Sequence, residues 1–421
     1  MDMQKLSQIY KYYTKCHSVS TDSRNVRSNS MFFALKGNSF NGNMFAEQAY
    51  KNGCRYCVID QEEFKLNDDF LLVDDVLLTM QNLARYHISK LDIPILCLTG
   101  SNGKTTTKEL ISAILSSTYN ISSTKGNLNN EIGVPITLLS IDPHSKLAVV
   151  ELGANHIGEI DFLSNMAQPK YGLITNFGKA HLEGFGSEEG VIKGKLELFE
   201  YVKKSNGKLF INNADDIQVA FKDVRHLSYG FNSDVEVKLL DDTPFVKLDF
   251  EGIVINSNLV GSYNYDNIAA AIAVGIEFGV SINRIKKSIE SYIPNNNRSQ
   301  IINTKNNIVL LDAYNANPTS MEAAIKSFVK RKEKNKVLIL GDMLELGKYA
   351  NVYHASIVDL IKKYQFKSVY FIGKKFKEIE KKSFLNKKDF LSFIKTNPIE
   401  KSFVLIKGSR GFKLEEILDF L

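Results

Sequence analysis

Short apolar runs alternate along this chain with longer stretches in which apolar residues recur every three or four positions, the rhythm of strands and helices in turn. Over about 90–297 the pattern predicts strand 95–99, helix 104–117, strand 119–124, helix 133–140 and strand 147–151. Strands at 171–175 and 208–212 follow, with a long helix over 187–203 between them. Segments 224–260 read as short antiparallel strands, 264–278 and 282–291 as helices, and 294–297 as a linker. Before this region, 1–88 mixes a strand at 56–59 with helical patterns at 45–51 and from Leu83, and Pro94 marks a boundary. After it, strands at 308–311, 337–340, 369–372 and 403–406 begin a second, smaller nucleotide-type fold. The expected fold class is α/β in three domains, 1–88, 89–297 and 298–421, the central one a doubly wound sheet of the P-loop type.

Composition changes this picture little. A chain of 421 residues exceeds what one core supports, and 44% hydrophobic with 24% charged residues is ordinary for a globular protein. The formal charge of +6 is spread over the whole length rather than gathered in a tail or stripe, so it suits an anionic small substrate as well as nucleic acid and decides little alone. The lysine-rich stretch 362–388 is interleaved with glutamates and apolar residues and reads as a solvated face. With no apolar leader at the N-terminus and no run long enough to span a bilayer, the chain is expected in the cytoplasm without membrane insertion. Four cysteines make no disulfide framework, and Cys54 and Cys57, although spaced C-x-x-C, sit in a strand-like run and are expected to pack.

Chemistry concentrates after the strand at 95–99. Thr99-Gly100-Ser101-Asn102-Gly103-Lys104-Thr105-Thr106 joins that strand to a helix, the order a polyphosphate needs. Glycines let backbone N–H groups converge on the anion, the helix N-terminus adds its dipole, Lys104 supplies a point charge, and the Thr105 hydroxyl can ligate Mg²⁺. The usual G-x-x-x-x-G-K-[ST] spacing would put glycine at 98, where this chain has Leu98, so the loop is a shorter one. Glu151 and His181 fall at or just beyond the carboxyl ends of neighbouring strands, where ligands of such sheets bind.

In the helix from Ser187, Ile192, Leu196, Phe199 and Val202 define one apolar face, and Lys195 points with them while Lys193 points about 100° away. An inward lysine must be paired, neutralised or modified, unless it snorkels from the edge of the core. Asn264 and Asn267 share a face at the start of the next helix, as caps or as ligands. Arg298 can fork onto phosphate or carboxylate, and Asp312 can accept from ribose or base.

Several stretches together resemble the Mur ligase family of ATP-dependent amide-forming enzymes: Thr-Gly-Ser-Asn-Gly-Lys-Thr at 99–105, Lys-Gly-Asn-Leu-Asn-Asn-Glu-Ile-Gly-Val-Pro at 125–135, Glu-Leu-Gly-Ala-Asn at 151–155, His-Leu-Glu-Gly-Phe-Gly-Ser at 181–187, Asp-Ala-Tyr-Asn-Ala-Asn-Pro at 312–318 and Leu-Gly-Asp-Met-Leu-Glu-Leu-Gly at 340–347. The resemblance implies an N-terminal domain for a UDP-sugar, a central ATPase domain, and a C-terminal Rossmann-like domain that closes over the nucleotide. It implies ATP and Mg²⁺ as cofactors, UDP-N-acetylmuramoyl-tripeptide and D-alanyl-D-alanine as the partners joined through an acyl phosphate, and a monomer. Gly100, Ser101, Asn102, Gly103, Lys104, Thr105, Thr106, Asn264, Asn267, Arg298 and Asp312 would bind nucleotide. Lys104, Glu151, His181 and Lys195 would serve catalysis, with Thr105, Glu151, His181 and a carbamylated Lys195 holding metal. Ser23, Arg24, Asn129, Asn130 and Asn315 would contact substrate. In the first domain Asn41-Gly42-Asn43 replaces the family's Asp-Gly-His type loop. A folate-polyglutamate type ligase and a silent nucleotide-binding scaffold are the competing readings, separated by which acceptor provokes ADP release.

Overall fold

The computed structural model describes residues 3–421. Among the described residues the strands form three main sheets. The first is parallel and four-stranded, in the order Ser18–Ser20, Ser30–Phe33, Cys54–Ile59, Phe70–Leu72. The second has nine strands: Ile253–Asn256, Lys247–Phe250, Val235–Asp241, His226–Gly230, Lys208–Asn212, Tyr171–Ile174, Ile95–Thr99, Leu147–Glu151 and Ile121–Ser123. The third has five, ordered Gln300–Asn303, Ile308–Asp312, Phe403–Lys407, Lys336–Gly341, Ser368–Ile372, parallel except for its first strand.

In the central sheet the expected strands 95–99, 147–151 and 208–212 form at those bounds. Their side chains alternate between two cores. Leu96, Leu98, Val149 and Phe210 pack against helices Lys104–Ser116 and Tyr263–Glu277, whose contributions include Leu110, Ile114, Ile268 and Ile272. Ile95, Cys97, Val150 and Ile211 face the opposite way, towards Leu163 of Glu159–Ala167 and Leu198 of Glu188–Lys204. A sheet covered on both faces explains why its strands read as continuous apolar runs.

The reading of 224–260 as antiparallel needs correction. Only Val235–Asp241, Lys247–Phe250 and Ile253–Asn256 pair antiparallel; His226–Gly230 runs parallel to Lys208–Asn212 because the four-residue helix Asp216–Val219 supplies a crossover. The helix expected from Leu83 begins at Val76, where the Asp75 side chain accepts from the Leu78 N–H at 2.8 Å. Helices Met3–Tyr13 and Glu159–Ala167 were not anticipated.

Helix Glu188–Lys204 starts where expected. Ser187 caps it by accepting from the Gly190 N–H at 3.1 Å, with Glu188 and Glu189 in its first turn and Lys203 and Lys204 in its last, each sign matching the helix dipole. Its buried face is Val191, Gly194, Lys195, Leu198, Phe199 and Val202, whereas Ile192 and Leu196 only flank it. The apolar stripe is thus rotated from the one read off the sequence, and Lys195 lies nearer its centre.

Cys54 and Cys57 are buried in the core of the first sheet. That sheet docks on the second partly through the Tyr13 hydroxyl, which donates to the Leu139 carbonyl at 2.7 Å. The third sheet is fastened on one side by Lys330 to Asp242 at 2.6 Å and by Arg331 donating to the Pro244 carbonyl at 2.6 Å. The connection between second and third sheets is unusual: Asn296, Asn297 and Ser299 all hold left-handed backbone, with φ of 51°, 55° and 49°. Glu109 anchors it by accepting from the Tyr292 hydroxyl at 2.6 Å and the Asn296 amide at 2.9 Å. Among the described residues no helix is long and apolar enough to cross a membrane.

Candidate active site

The strand Ile95–Thr99 lies between Tyr171–Ile174 and Leu147–Glu151, and the chain leaves it to one side for Ile121–Ser123, so its carboxyl end sits at a switch point of the sheet. The turn that follows depends on two glycines. Gly100 has φ +144° and a Cβ there would fall 1.9 Å from Thr175 Oγ1; Gly103, the N-cap of Lys104–Ser116, has φ +79° and a Cβ would fall 2.3 Å from Asn267 Oδ1. The segment after Tyr171–Ile174 clamps the loop. Thr175 Oγ1 and Asn176 Nδ2 donate to the Asn102 carbonyl at 2.6 and 3.0 Å, and Ser101 Oγ donates to the Gly178 carbonyl at 2.9 Å.

With the loop fixed, the N–H groups of Lys104, Thr105 and Thr106 open the helix without intrahelical acceptors, since the first bond runs from Thr107 to Gly103. Lys104 Nζ folds back onto the Gly100 carbonyl at 2.6 Å and lies 3.4 Å from that of Ser101. Burial pushes its pKa below the ordinary lysine range, the carboxylate of Glu151 opposes this, and the guanidinium of Arg298 adds to it.

Glu151, 1% exposed, ends the next strand. Its Oε1 accepts from Asn129 Nδ2 at 2.8 Å and Thr105 Oγ1 at 3.3 Å, while Oε2 is buried with no hydrogen-bond partner. A bare carboxylate oxygen beside the threonine of a phosphate loop is what a hard divalent cation needs, and Mg²⁺ takes few protein ligands. Among the described residues no group of three or more His, Cys, Asp or Glu stands ready to hold a metal. Lys108, which sequence reasoning missed, is 3% exposed; its Nζ donates to the Gly126 carbonyl at 3.1 Å and lies 3.9 Å from Glu151 Oε2. It stands four residues, one helical turn, after Lys104, a phase that was readable.

His181 caps the short helix Leu182–Phe185 in left-handed backbone, φ 53°, with Nδ1 2.7 Å from Oε2 of Glu345, a residue of the third sheet's loops. Among the described residues Nδ1 makes no well-directed hydrogen bond there, and the nearby His181 holds the Glu345 carboxyl below its usual range against the opposing effect of burial. Lys195, 1% exposed, lies behind this group. Its Nζ is 3.4 Å from the Ala154 carbonyl and 5.2 Å from the centre of the Phe185 ring, without an ion-pair partner among the described residues. Burial, seconded by the charge of Lys104, drives its pKa well down.

Asn264 and Asn267 share a helix face as read: Asn267 Nδ2 donates to Asn264 Oδ1 at 2.8 Å and Thr107 Oγ1 to Asn267 Oδ1 at 3.1 Å. Across from them the Arg298 guanidinium lies 3.7 Å from the centre of the Tyr314 ring, its Nε buried without an acceptor. Asp312 is more committed to the protein than its sequence suggested. Oδ2 meets Lys407 Nζ at 2.5 Å and Oδ1 accepts from the Ser299 N–H at 3.2 Å. Lys407 was missed because its strand end carries no motif. Asn317 caps helix Pro318–Lys330 and donates from Nδ2 to Asn102 Oδ1 at 2.7 Å, tying the third sheet to the phosphate loop.

These parts border one cavity of about 690 Å³. Ser101, Asn102, Gly103, Lys104, Thr105, Thr106, Asn129, Asn130, Glu151, His181, Asn264, Asn267, Arg298, Asp312 and Asn315 line it, with Glu345 and Lys407. Gly100 and Lys195 do not reach its surface, and Ser23 and Arg24 lie elsewhere, in the loop between strands Ser18–Ser20 and Ser30–Phe33 of the first sheet. Ser23 is buried, while Arg24 is exposed and gripped by Asp22 through two 2.9 Å bonds.

Known proteins divide along the same lines. The family model of the Mur ligase family catalytic domain matches residues 15–83, that of the Mur ligase middle domain 98–275, and that of the Mur ligase glutamate ligase domain 297–409. The UDP-N-acetylmuramoyl-tripeptide–D-alanyl-D-alanine ligase of Bacillus subtilis is 34% identical over 426 residues, covering 96% of this chain and 93% of that protein. A crystal structure of MurF from Acinetobacter baumannii superposes with a TM-score of 0.84 at 30% identity, covering 99% of this chain and 97% of the other. The fold is also that of MurF ligase from Thermotoga maritima in complex with ADP, with a TM-score of 0.82, 24% identity and 97% of both chains covered.

Proposed function

The chain belongs to the Mur ligase family, and from that premise we propose how its cavity works. It is an ATP-dependent ligase that joins D-alanyl-D-alanine to UDP-N-acetylmuramoyl-tripeptide in peptidoglycan precursor synthesis. The observation that carries the reading of the site is Glu151 Oε2 beside Thr105 at the mouth of the phosphate loop, buried and among the described residues accepting no hydrogen bond.

The loop N–H groups and Lys104 hold the β- and γ-phosphates, with Lys104 leaving its own loop carbonyls to do so. Asn264, Asn267, Arg298 and Asp312 hold the nucleoside end, and Asn129, Asn130 and Asn315 the peptide. The terminal carboxylate of the tripeptide attacks the γ-phosphorus, forming an acyl phosphate and releasing ADP. The dipeptide amine then attacks the acyl carbon, loses a proton, and phosphate leaves from the tetrahedral intermediate. Mg²⁺, held by Thr105, Glu151 and His181, would neutralise the charge that builds on the transferring oxygens. We assign Lys195 a carbamate: its neutral amine adds to CO₂, forming an N–C bond and losing a proton. Burial that favours the neutral amine supports this assignment, as does the absence of an ion-pair partner among the described residues.

Ser23 and Arg24, in a loop of the first domain, suit the uridine diphosphate, away from the chemistry. We propose domain limits of 1–88, 89–297 and 298–421, a cytoplasmic location and a monomer. The test is ADP release with UDP-N-acetylmuramoyl-tripeptide, measured with and without D-alanyl-D-alanine. Turnover that needs both is expected; turnover with a folate substrate instead, or none at all, would overturn the reading.

A further inference from the structure

The segment after strand Ile308–Asp312 of the third sheet reaches the phosphate loop directly. Asn317, at the head of helix Pro318–Lys330, donates from Nδ2 to Asn102 Oδ1 at 2.7 Å, and both residues line the cavity. We propose that Asn317 is a positioning residue for Asn102. By occupying the amide oxygen it sets Asn102 Nδ2 as a donor to the phosphates of the nucleotide, and it does so only while the third sheet is docked. This rests on the cavity binding ATP as proposed above.

Each partner is held so that one orientation remains. Asn317 Oδ1 accepts from the Ser320 N–H at 2.9 Å while the Asn317 N–H donates to Ser320 Oγ at 3.1 Å, and Pro318 stiffens the first helical position. Its Nδ2 is therefore aimed by the cap. On the other side the Asn102 main chain is already committed: its N–H donates to Asn176 Oδ1 at 3.1 Å, and its carbonyl accepts from Thr175 Oγ1 and Asn176 Nδ2. Only the Asn102 side chain is left to turn. With Oδ1 taken by Asn317, Nδ2 has no acceptor among the described residues. The bond also lies within a close seam. At Gly178, itself on the cavity wall, a Cβ would fall 2.8 Å from Asn102 Nδ2 and 3.3 Å from Thr319 Oγ1, and the Lys179 N–H donates to Thr319 Oγ1 at 3.0 Å. Phosphate loop, central sheet and the first turn of the third sheet's helix thus converge where only glycine fits.

The chemical effect follows from the two ends of a carboxamide. Its oxygen repels a phosphate and its nitrogen donates to one, and a free amide can present either. A donor from Asn317 fixes the choice, and the nitrogen is then free for a charge-assisted bond to the anion. ATP held while the third sheet is undocked meets a loop whose amide is unset, which ties phosphoryl transfer to docking.

Asn317→Ser keeps a capping oxygen for the helix but is too short to reach Asn102. The affinity of a non-hydrolysable ATP analogue with Mg²⁺ would be measured calorimetrically in the full-length wild type, Asn317→Ser, Asn102→Ala and the double variant, with small-angle scattering of each saturated complex. Asn317→Ser should weaken the analogue by about 10-fold or more, the size of a lost donor to a charged group, and lower ADP release with it. Its Tm and its scattering profile should match wild type. In the Asn102→Ala background the same substitution should change nothing further. A purely structural role for Asn317 would lower Tm and weaken binding equally in both backgrounds, and a bond that serves only to close the sheet would leave the Asn317→Ser complex more open in scattering. Either result, or wild-type affinity in Asn317→Ser, overturns the proposal. If the ligase reading failed instead, wild type would release no ADP with its two substrates while the analogue affinities still showed the coupling.

Discussion

Asp312→Asn separates a structural from a ligand-binding role at one carboxylate. In the folded chain Asp312 faces Lys407 at 2.5 Å, with side chains 16% and 2% exposed, and its second oxygen accepts from Ser299. The amide keeps the shape and an acceptor but removes the charge, stranding the Lys407 ammonium with the Asn315 carbonyl at 3.3 Å. Removing one partner of a buried pair costs about 3–5 kcal/mol; the retained acceptor and the partial exposure of Asp312 place this case near the lower end, at about 3 kcal/mol. For a domain of this size that is a fall in Tm of roughly 10 °C. Calorimetry without nucleotide is the assay, run beside Lys407→Met and the double variant. Because replacing both charges of a buried pair is often near neutral, the double variant should regain much of the loss. A single variant that melts with wild type, or a double variant less stable than Asp312→Asn, would refute the reasoning.

Lys104→Ala should lower turnover by ~10²-fold or more with the fold intact, because it removes charge facing the transferred phosphoryl group and no core packing; near-normal turnover in the ADP-release assay excludes the role. Lys195→Ala should be almost inactive and partly rescued by short carboxylates, whereas exposed Lys193→Ala should match wild type, and the reverse ranking rules out the assignment. His87 is buried, and its pKa is pushed down to about 4 by that burial. Its folded value lies below the unfolded value of about 6.5, so its contribution is complete above that pH and is lost as pH falls towards 4, up to about 3 kcal/mol in all. Urea midpoints at pH 7.5 and 5 should fall further in wild type than in His87→Phe, and equal slopes would remove His87 from the account.

The phosphate loop was legible because everything it needs is local: an apolar run, two glycines at the turn, and Lys104 opening a helix. Lys195 was legible because helical phase is fixed by sequence, although the stripe was read one step off, with Ile192 and Leu196 taken for core that Val191 and Leu198 supply. Contacts made across the seam were not. Lys407, Glu345 and Asn317 acquire their meaning from Asp312, His181 and Asn102, residues some 95, 164 and 215 positions away along the chain. Likewise the parallel pairing of His226–Gly230 hung on a helix of four residues, too short to show a period.

The linker between the second and third sheets has a bearing on how freely this sequence can drift. Its asparagine run looks like interchangeable spacer, yet Asn296, Asn297 and Ser299 each hold a conformation that a β-branched side chain resists, at roughly 1–2 kcal/mol per residue. Asparagine tolerates it better than most. Mutational freedom there is therefore bounded by backbone shape as well as by the bonds of Asn296 to Glu109 and of Ser299 to Asp312, so a segment of low apparent information content is more narrowly specified than its composition suggests.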